Sequence, residues 1–490
     1  MIEKFSISNF RGIGKISDLN VGDYNILIGD NGTSKTSIIE ALNHAFSPYF
    51  LANRIKHTDF KGGSVDSFSV FIKFIENLKV ELPDGYTTQE IECDKLYLEV
   101  KKRDQKKAGK VLSDPYVVTH LVGPAFEREE NGKGWKIKRK SGSDFKFSER
   151  SLTLSNISTE DLPRTFYFGK DRNRQLTKGF NSSFSNVVED LNWRYNRYVR
   201  KDPDSQTIQE KIQELTNEIH KYSEVEDLEL VRLLREKLNK FDIAEIDMSI
   251  FDSVAPYDSA FFSSKKGTLD LPVKDLGSGF EMIISLLFLE TLASFSKEKL
   301  LILIDEPELH LHPKLQEKLA DYLLSLSQES NNHQIFISTH SPIFYKNTFN
   351  KTGVKTFVTS FEDGDELVIQ KMQPDSGLFP WSPSWGEINY KAYNYPTVEF
   401  HNELYGFIQE KHEKFKEKEI DDFFEEQGLK NSKQWQREQN GNPGAKYMCT
   451  LPVFIRNKIH HPENTIMQVS TFSSKELEES IESMIHILKK

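Results

Sequence analysis

Short apolar runs bounded by polar residues recur through the first 370 residues of the chain. The residues from Ile2 to Phe10 alternate in character, as expected of a strand with one buried face. Continuous apolar runs predict strands that are buried on both faces, as in a parallel sheet. These runs lie at Tyr24–Ile28 and Leu300–Ile304, and further strands are predicted at Thr165–Phe168 and Gln334–Ser338.

Two further regions predict antiparallel strands. The stretch from Ser64 to Val117 contains repeated runs rich in β-branched and aromatic residues. The segments Val354–Phe361 and Leu367–Lys371 flank Asp363-Gly364, a dipeptide typical of hairpin turns.

A helical pattern replaces these runs in the middle of the chain. Apolar residues separated by three or four positions predict two helices, one with Ile208, Ile212, Leu215 and Ile219 and one with Leu230, Leu234 and Leu238. They predict a short helical arm inserted in a larger domain. The arm could pack on the core or serve as an interface, and the pattern does not separate these possibilities.

These patterns predict an α/β protein: a mixed sheet with flanking helices, an inserted arm and an all-α C-terminal domain. We expect one sheet-forming lobe over residues 1–180, the arm over 181–265 and the second lobe over 266–372. Residues 373–396 are rich in proline and predict a linker. The helical C-terminal domain then covers 397–490, and its last helix should begin with a capping box formed by Ser473 and Glu476.

Composition narrows the class of protein. Among 490 residues the charged fraction is 28% and no apolar run approaches the length of a membrane span. The two cysteines, Cys93 and Cys449, are far apart and argue against a disulfide scaffold or a zinc ribbon. We therefore expect a cytoplasmic protein without membrane contact. Because the net charge is −10, nucleic acid would have to bind at a local patch.

The strand Tyr24–Ile28 leads into a loop with the chemistry of a phosphate-binding site. Its glycines allow backbone N–H groups to converge, Lys35 supplies a positive charge to phosphates, and Thr36 supplies a hydroxyl ligand for Mg²⁺. Ser34 stands where the usual pattern has its second glycine, so slower hydrolysis is one consequence to test. The predicted nucleotide-binding residues of this loop are Gly29, Asp30, Asn31, Gly32, Thr33, Ser34, Lys35, Thr36 and Ser37.

Three later motifs would complete an ATP-hydrolysing site. Asp305 and Glu306 end a predicted buried strand, where one carboxylate would hold Mg²⁺ and the other would polarise water. His340 ends the next strand and would contact the γ-phosphate. Ser278 and Gly279, before a predicted helix, would offer a hydroxyl and an amide to a phosphate presented by another subunit.

The order of these motifs resembles the ABC-type ATPase heads of the SMC/RecF/OLD group, and in detail its bacterial AAA15 ATPases. The resemblance implies ATP and Mg²⁺ as cofactors and a head dimer, or a higher oligomer, that completes each site with Ser278 and Gly279 in trans. It also implies that Arg11 contacts the nucleotide. The matching segments are Asn9–Arg11, Gly29–Thr36, Leu276–Glu281, Asp305–Pro313 and Ser338–Pro342.

The C-terminal region decides what the ATPase controls. The OLD branch carries a TOPRIM nuclease, but Asp363-Gly364-Asp365, the candidate here, fits a hairpin turn better, so we reject that module. Instead, Arg456, Asn457 and His461 resemble the motif of HEPN ribonucleases. In that interpretation Arg456 stabilises phosphate charge, His461 moves protons and Asn457 orients the substrate or His461, without a metal. His460 is an alternative to His461, and Glu399, His401 and Glu403 on a preceding helix are candidates to complete the pocket.

We therefore predict an ATP-controlled ribonuclease toxin of anti-phage defence. Its substrate would be RNA, and by analogy with anticodon nucleases tRNA is a plausible target. A phage-derived trigger or a companion defence protein would be a partner. Two alternatives stand beside it. One is an ATPase sensor or scaffold that regulates a separately encoded effector, and the other is an SMC/RecF-like DNA-repair ATPase. A simple helix cap would also explain Arg456 and His461.

Overall fold

The protein folds as two compact units, residues 1–371 and 372–490. No helix within the described residues is both long and apolar enough to cross a membrane. The computed structural model describes residues 1–47, 55–81, 90–103, 106–107, 110–111, 116–123, 127–128, 135–137, 145–147, 161–169, 187–188, 190–192, 236–241, 246–249, 261–266, 269–272, 278–296, 298–329, 333–349, 351–362, 366–371, 377–382, 384–439 and 442–489.

The first unit combines many strands with a few helices. Its strands are β1 (Ile2–Phe10), β2 (Ile13–Asn20), β3 (Tyr24–Gly29), β4 (Ser67–Glu81), β5 (Glu90–Lys102), β6 (Lys106–Lys107), β7 (Lys110–Val111), β8 (Tyr116–Gly123), β9 (Glu127–Arg128), β10 (Trp135–Ile137), β11 (Phe145–Phe147), β12 (Arg164–Phe168), β13 (Ile246–Ser249), β14 (Phe261–Lys266), β15 (Leu269–Pro272), β16 (Leu300–Asp305), β17 (His333–Ser338), β18 (Val354–Glu362) and β19 (Glu366–Lys371). Within the described residues, its α-helices with both ends assigned are α1 (Lys35–Phe46), α2 (Ser278–Ser296), α3 (Pro313–Glu329) and α4 (Pro342–Thr348).

A six-stranded sheet of order β12-β16-β17-β3-β18-β19 carries the predicted motifs. All its pairs are parallel except β18–β19, which is the predicted antiparallel hairpin. Every residue of β3, β16 and β17 is buried, which explains the run of apolar residues in each of these strands. The mixed α/β fold class is therefore confirmed.

A second sheet, of order β2-β1-β4-β5-β8, is antiparallel throughout. One hydrophobic core contains residues of both sheets and of α1, including Phe5, Leu42, Leu303 and Phe357. Since α1 begins inside the predicted phosphate loop, burial of its apolar face anchors that loop to the core.

The second unit is mainly helical. Its elements are α5 (Trp385–Tyr393), α6 (Val398–Lys411), α7 (Glu417–Glu426), β20 (Asn431–Gln439), β21 (Asn442–Thr450), α8 (Leu451–His460) and α9 (Ser474–Lys489). Its core gathers apolar side chains of the helices around the buried Trp435. The predicted capping box of α9 is confirmed, because Ser473 N–H donates to Glu476 and Glu476 N–H donates to Ser473 Oγ.

Two expectations for this part of the chain were wrong. The domain is not all-α, because β20 and β21 form an antiparallel hairpin whose Trp435 and Cys449 are buried while most of its other residues are polar. Nor is the stretch 373–396 a plain linker, since it contains α5. Ser384 Oγ caps this helix by accepting from Glu387 N–H, and the left-handed Asn394 ends it.

The predicted arm falls largely outside the described residues. Of the seven apolar positions that predict its two helices, only Leu238 is described, and it is buried. Next to it, Lys237 pairs with Glu290 of α2. Asp363-Gly364-Asp365 also lies outside the described residues.

Candidate functional site

The phosphate loop joins β3 to α1, and its two glycines are required for different reasons. At Gly29, where φ is +143°, a Cβ would clash with the carbonyl oxygen of Thr359 on β18. At Gly32, where φ is +80°, a Cβ would meet nothing within 4 Å, so the requirement is conformational. Asp30 and Asn31 are exposed at the tip of the loop, while Thr33 is buried against Thr359.

Ser34 adopts the backbone conformation that glycine favours. Its φ of 62° and ψ of 17° lie in the left-handed region. A Cβ placed on Gly12 would lie 2.5 Å from Ser34 Oγ, so the glycine after Arg11 leaves room for the serine side chain. The loop therefore follows a glycine-like path at this position despite the substitution.

The ammonium of Lys35 lies inside the loop. It donates to the carbonyl oxygens of Gly29 at 2.8 Å and Asp30 at 2.7 Å, and the side chain is buried. Burial lowers the pKa of Lys35 to about 8, although nearby carboxylates, Glu306 first among them, act in the opposite direction. The loop thus holds a cation that is poorly solvated and can interact strongly with phosphate oxygens.

Thr36 and Asp305 meet although their strands are not neighbours. Thr36 begins the helix after β3, Asp305 ends β16, and β17 lies between the two strands. The Thr36 hydroxyl donates to Asp305 Oδ1 at 3.0 Å, and Ser338 Oγ also bonds this fully buried carboxylate. A hydroxyl and a carboxylate are oxygen ligands that suit Mg²⁺, so this donor set fits the expected ion.

Glu306 follows directly, in a left-handed conformation with φ of 50°. Its N–H donates to Ser338 O at 2.9 Å, which fixes the backbone, and the residue is partly exposed. Positive φ at a residue other than glycine is costly and is concentrated at functional sites. Glu306 is therefore placed beside Asp305 and within electrostatic range of Lys35, as a water-polarising carboxylate would need to be.

His340 lies in the loop between β17 and α4 and is partly buried. Its N–H donates to Glu308 Oε1 at 2.6 Å. Sequence reasoning missed the role of Glu308; the signal was available in Glu306-Pro307-Glu308, where proline forces a turn and places a second carboxylate next to the strand end.

Arg11 is engaged by acidic side chains. Its guanidinium pairs with Glu40 of α1 and with Asp59, the latter at 2.9 Å. Glu40 also accepts from the Tyr167 hydroxyl at 3.3 Å. Because Gly12, the next residue, lies against Ser34, Arg11 is close to the phosphate loop. Its charge, however, is shared with the two carboxylates.

Gly279 is buried in the first turn of α2. A Cβ there would lie 2.5 Å from Leu311 Cδ2 and 3.0 Å from His310 O, so this turn packs on the segment that follows Glu308. Ser278 begins the helix. The side chain of Ser278 and the residues Leu276 and Gly277 lie outside the described part of the structure.

The second candidate site lies in the other unit, at the end of α8. Arg456 Nη1 donates to Asn457 Oδ1 at 3.3 Å, and its guanidinium lies 5.9 Å from the centre of the Tyr405 ring. Among the residues that the structure describes, no carboxylate lies within ion-pair distance of Arg456. By contrast Arg437, in the same unit, pairs with Glu417.

The two histidines differ in their surroundings. His460 is exposed and lies four residues after Arg456, on the same face of α8. Burial lowers the pKa of His460, and the charges of Arg456 and His461 lower it further. His461 ends the helix, with its Nδ1 3.0 Å from Glu463 Oε1.

The candidates on α6 do not join this cluster as a group. His401 is fully buried, its Nε2 is 3.0 Å from Ser480 Oγ on α9, and burial lowers its pKa to about 3. Glu403 bonds Ser384, and Glu399 is exposed. Asn457, in contrast, is buried beneath Arg456.

Comparison with known proteins identifies the first unit. The AAA ATPase domain family (AAA15) matches residues 1–345. An OLD nuclease of Thermus scotoductus is 23% identical over 70% of this chain and 60% of its own length. The Retron Vc95 probable ATPase of Vibrio cholerae is 22% identical over 65% of this chain and 66% of its own. This chain thus spans about three fifths to two thirds of these relatives.

Among solved structures, the Smc head domain bound to the C-terminal domain of ScpA, derived from Pyrococcus furiosus, is 14% identical. The structural match covers 76% of this chain and 96% of the Smc head chain, with a TM-score of 0.44.

Proposed function

The chain belongs to the AAA ATPase domain family, and from that premise we propose an ATP hydrolase whose ATP site controls an RNA endonuclease in the second unit. The observation that carries the ATPase part is the convergence of Lys35, Thr36 and Asp305 at one edge of the central sheet. The endonuclease part rests on the second unit alone.

In this proposal the first unit binds ATP through the loop after β3. Lys35 exchanges its carbonyl partners for phosphate oxygens, and the N–H groups at the start of α1 add the positive end of the helix dipole. Thr36 and Asp305 would hold Mg²⁺, which neutralises phosphate charge when bound. Glu306 orients and polarises the attacking water, and His340 contacts the γ-phosphate.

Two subunits would share each nucleotide, with Ser278 and Gly279 of one chain facing the phosphate loop of the other. This expectation comes from the resemblance to ABC-type ATPase heads. It is supported by the position of Gly279 at the first turn of α2, where its amide is one of the unsatisfied donors of a helix start.

The ATPase is tested with purified full-length protein. We expect Mg²⁺-dependent phosphate release by the wild type, a loss of about 100-fold or more for Glu306→Gln with ATP still bound, and no ATP binding for Lys35→Ala. Light scattering of Glu306→Gln with and without ATP then tests the dimer. Asp18→Asn, at an exposed position of β2, is the matched control for loss of a carboxylate. Hydrolysis by Lys35→Ala at the wild-type rate would refute this assignment.

The endonuclease proposal rests on Arg456. A guanidinium without an acidic partner among the described residues, close to His460 and His461, favours an anion such as an RNA phosphate. Arg456 would stabilise charge on the phosphate, while a histidine moves protons between the 2′-OH and the leaving oxygen. Asn457 lies against the guanidinium and would orient it or the substrate. Cleavage of this kind does not act on DNA, which lacks the 2′-OH.

The position of His460 on the same face as Arg456 makes it as strong a candidate as His461. The two histidines are therefore replaced separately. The wild type, Arg456→Ala, His460→Ala and His461→Ala are each expressed in cells, and the 5′ and 3′ ends of cellular RNA are sequenced after induction. Arg456→Ala and one of the two histidine variants should abolish toxicity and new RNA ends, tRNA ends being the first to inspect.

The matched control is Arg437→Ala, which removes an arginine that is paired with Glu417 in the same unit. It should retain cleavage. If the Arg456 and histidine variants all remain toxic while Glu306→Gln abolishes phage resistance, the nuclease assignment fails. The protein would then be an ATPase that regulates a separate effector, as the defence role expected from the family allows.

A further inference from the structure

Glu308 connects the two strand ends that carry the proposed hydrolytic residues. Its carboxylate accepts the N–H of His340 at 2.6 Å and the hydroxyl of Thr339 at 2.8 Å. Both partners lie more than thirty residues away along the chain, in the loop that follows β17. The side chain therefore reaches back from one strand end to the next.

The backbone cannot make this connection itself. The parallel pairing of β16 and β17 runs to Asp305 and Ser338, and Glu306 N–H to Ser338 O is the last rung at 2.9 Å. At Glu306 the chain turns into the left-handed region and Pro307 follows, so the backbones separate. The carboxylate of Glu308 then supplies the next two connections.

The same contact orders the loop beyond His340. The Thr339 hydroxyl donates to Glu308, and its oxygen accepts Ser341 N–H at 2.9 Å. Ser341 in turn caps α4 and bonds Gln316 of α3 at 2.7 Å. The hydrogen bond from His340 N–H to the Glu308 carboxylate thus fixes the direction of the backbone at His340.

Electrostatics agree with a specific purpose for this carboxylate. Burial raises the pKa of Glu308, and the N–H of His340 and the hydroxyl of Thr339 oppose that effect. Enclosing a carboxylate is unfavourable unless donors compensate it. A side chain retained at such a position is therefore better explained by the two donors it orients than by packing alone.

We propose that Glu308 is a positioning residue for ATP hydrolysis, which acts by fixing the backbone of His340 relative to Asp305 and Glu306. This inference rests on the ATPase function proposed above. Glu308 itself does not touch the nucleotide in this role. Its loss should slow turnover without weakening ATP binding to the same degree, since the phosphate loop remains intact.

The test compares kcat and KM for ATP in four full-length proteins: wild type, Glu308→Ala, His340→Ala and the double variant. Displacement of a catalytic group by an ångström costs about 100-fold in rate. We expect Glu308→Ala to lower kcat by about 10- to 100-fold and to change KM by less than about threefold. The same substitution added to His340→Ala should lower kcat by less than about twofold, because its target is already gone.

Two further variants separate positioning from general destabilisation. Glu308→Gln keeps an oxygen that can accept His340 N–H and should recover most of the lost rate. Glu290→Gln removes a buried carboxylate on α2 that bonds Lys237, Ser294 and Tyr322, and it should leave kcat within about twofold. If Glu308→Ala does not fold, Glu308→Asp replaces it, since its shorter carboxylate cannot reach the same donors from the same backbone.

A wild-type kcat for Glu308→Ala, or an effect that multiplies with that of His340→Ala, would overturn the positioning role while leaving the ATPase intact. Absence of both ATP binding and hydrolysis in the wild type would instead overturn the proposed function, and the role of Glu308 with it.

Discussion

ATP binding should depend on pH through Lys35. In the free protein burial lowers the pKa of this lysine to about 8, while phosphate oxygens in contact with the ammonium would raise it again. Binding therefore requires the protonated form and takes up a proton above pH 8. Affinity for ATP is therefore constant below about pH 7.5 and falls as pH rises through 8.

The magnitude follows from the fraction of Lys35 that is deprotonated before binding. With a pKa of about 8, the apparent Kd for ATP should be about tenfold higher at pH 9 than at pH 7. At pH 8.5 each binding event should take up ~0.8 proton. ATP contributes little to this change, since the second ionisation of a phosphate monoester occurs near pH 6.

Isothermal titration in two buffers of different ionisation enthalpy measures both quantities on the wild type. Lys35→Arg is the control, because a guanidinium stays charged throughout this range and should give a flat profile if it binds. A wild-type affinity that is unchanged from pH 7 to 9.5, with no proton uptake at pH 8.5, would refute the reasoning. It would mean that the pKa of Lys35 in the free protein is not lowered by burial.

Three further outcomes follow from single contacts. Thr36→Ala should remove the Mg²⁺-dependent part of ATP affinity, ~10-fold or more, because the hydroxyl beside Asp305 would be a ligand of the ion. Thr36→Ser keeps that hydroxyl and should stay within about threefold in the same titration. Ser34→Gly should raise stability to urea by ~0.5 kcal/mol, because relief of the left-handed conformation exceeds the entropy gained by the unfolded chain and no side-chain cap is lost. Glu417→Ala should destabilise the second unit by ~2 kcal/mol, because the carboxylate accepts hydrogen bonds from Tyr447 and Arg437. Burial acts to raise the pKa of Glu417, but these hydrogen bonds hold it below its ordinary value, so the stabilisation is present above pH 4.5 and is lost as pH falls through the lower folded pKa. In acid unfolding the wild type should show this loss of stability and the variant should not.

The strands that carry the ATPase motifs were predictable because their burial leaves a direct trace in sequence. β16 and β17 are buried at every position, and each contains an apolar run, Leu300–Ile304 in β16 and Ile335–Ile337 in β17. β2 was missed for the opposite reason. It is an edge strand with exposed polar residues, so its pattern does not differ from that of a loop.

The hairpin of β20 and β21 was also missed, since most of its residues are polar and, of its apolar side chains, only Trp435 and Cys449 are buried. One local signal was present: Asn440-Gly441 is a dipeptide common in two-residue hairpin turns. The long helices on either side dominated the pattern and favoured an all-helical interpretation.

The proximity of Thr36 and Asp305 could be expected from strand ends that share one edge of a sheet. The partners of Arg11 could not, because Glu40 and Asp59 lie in different parts of the chain and their contact depends on how α1 packs against β1. For the same reason the bond between Glu308 and His340 required the structure, even though both residues stand in recognisable motifs.

The geometry of Ser34 also bears on how far its departure from glycine can affect turnover. The residue already holds the left-handed conformation, and the bonds on either side, from Lys35 to Gly29 and between Thr33 and Thr359, are those of a formed loop. Since the backbone does not have to change when phosphate arrives, the cost of the serine is shared by the free and bound states and cancels in the rate. Ser34→Gly should therefore alter stability while leaving kcat within about threefold. A larger increase in kcat would mean that the serine side chain, rather than the path of the loop, restrains hydrolysis.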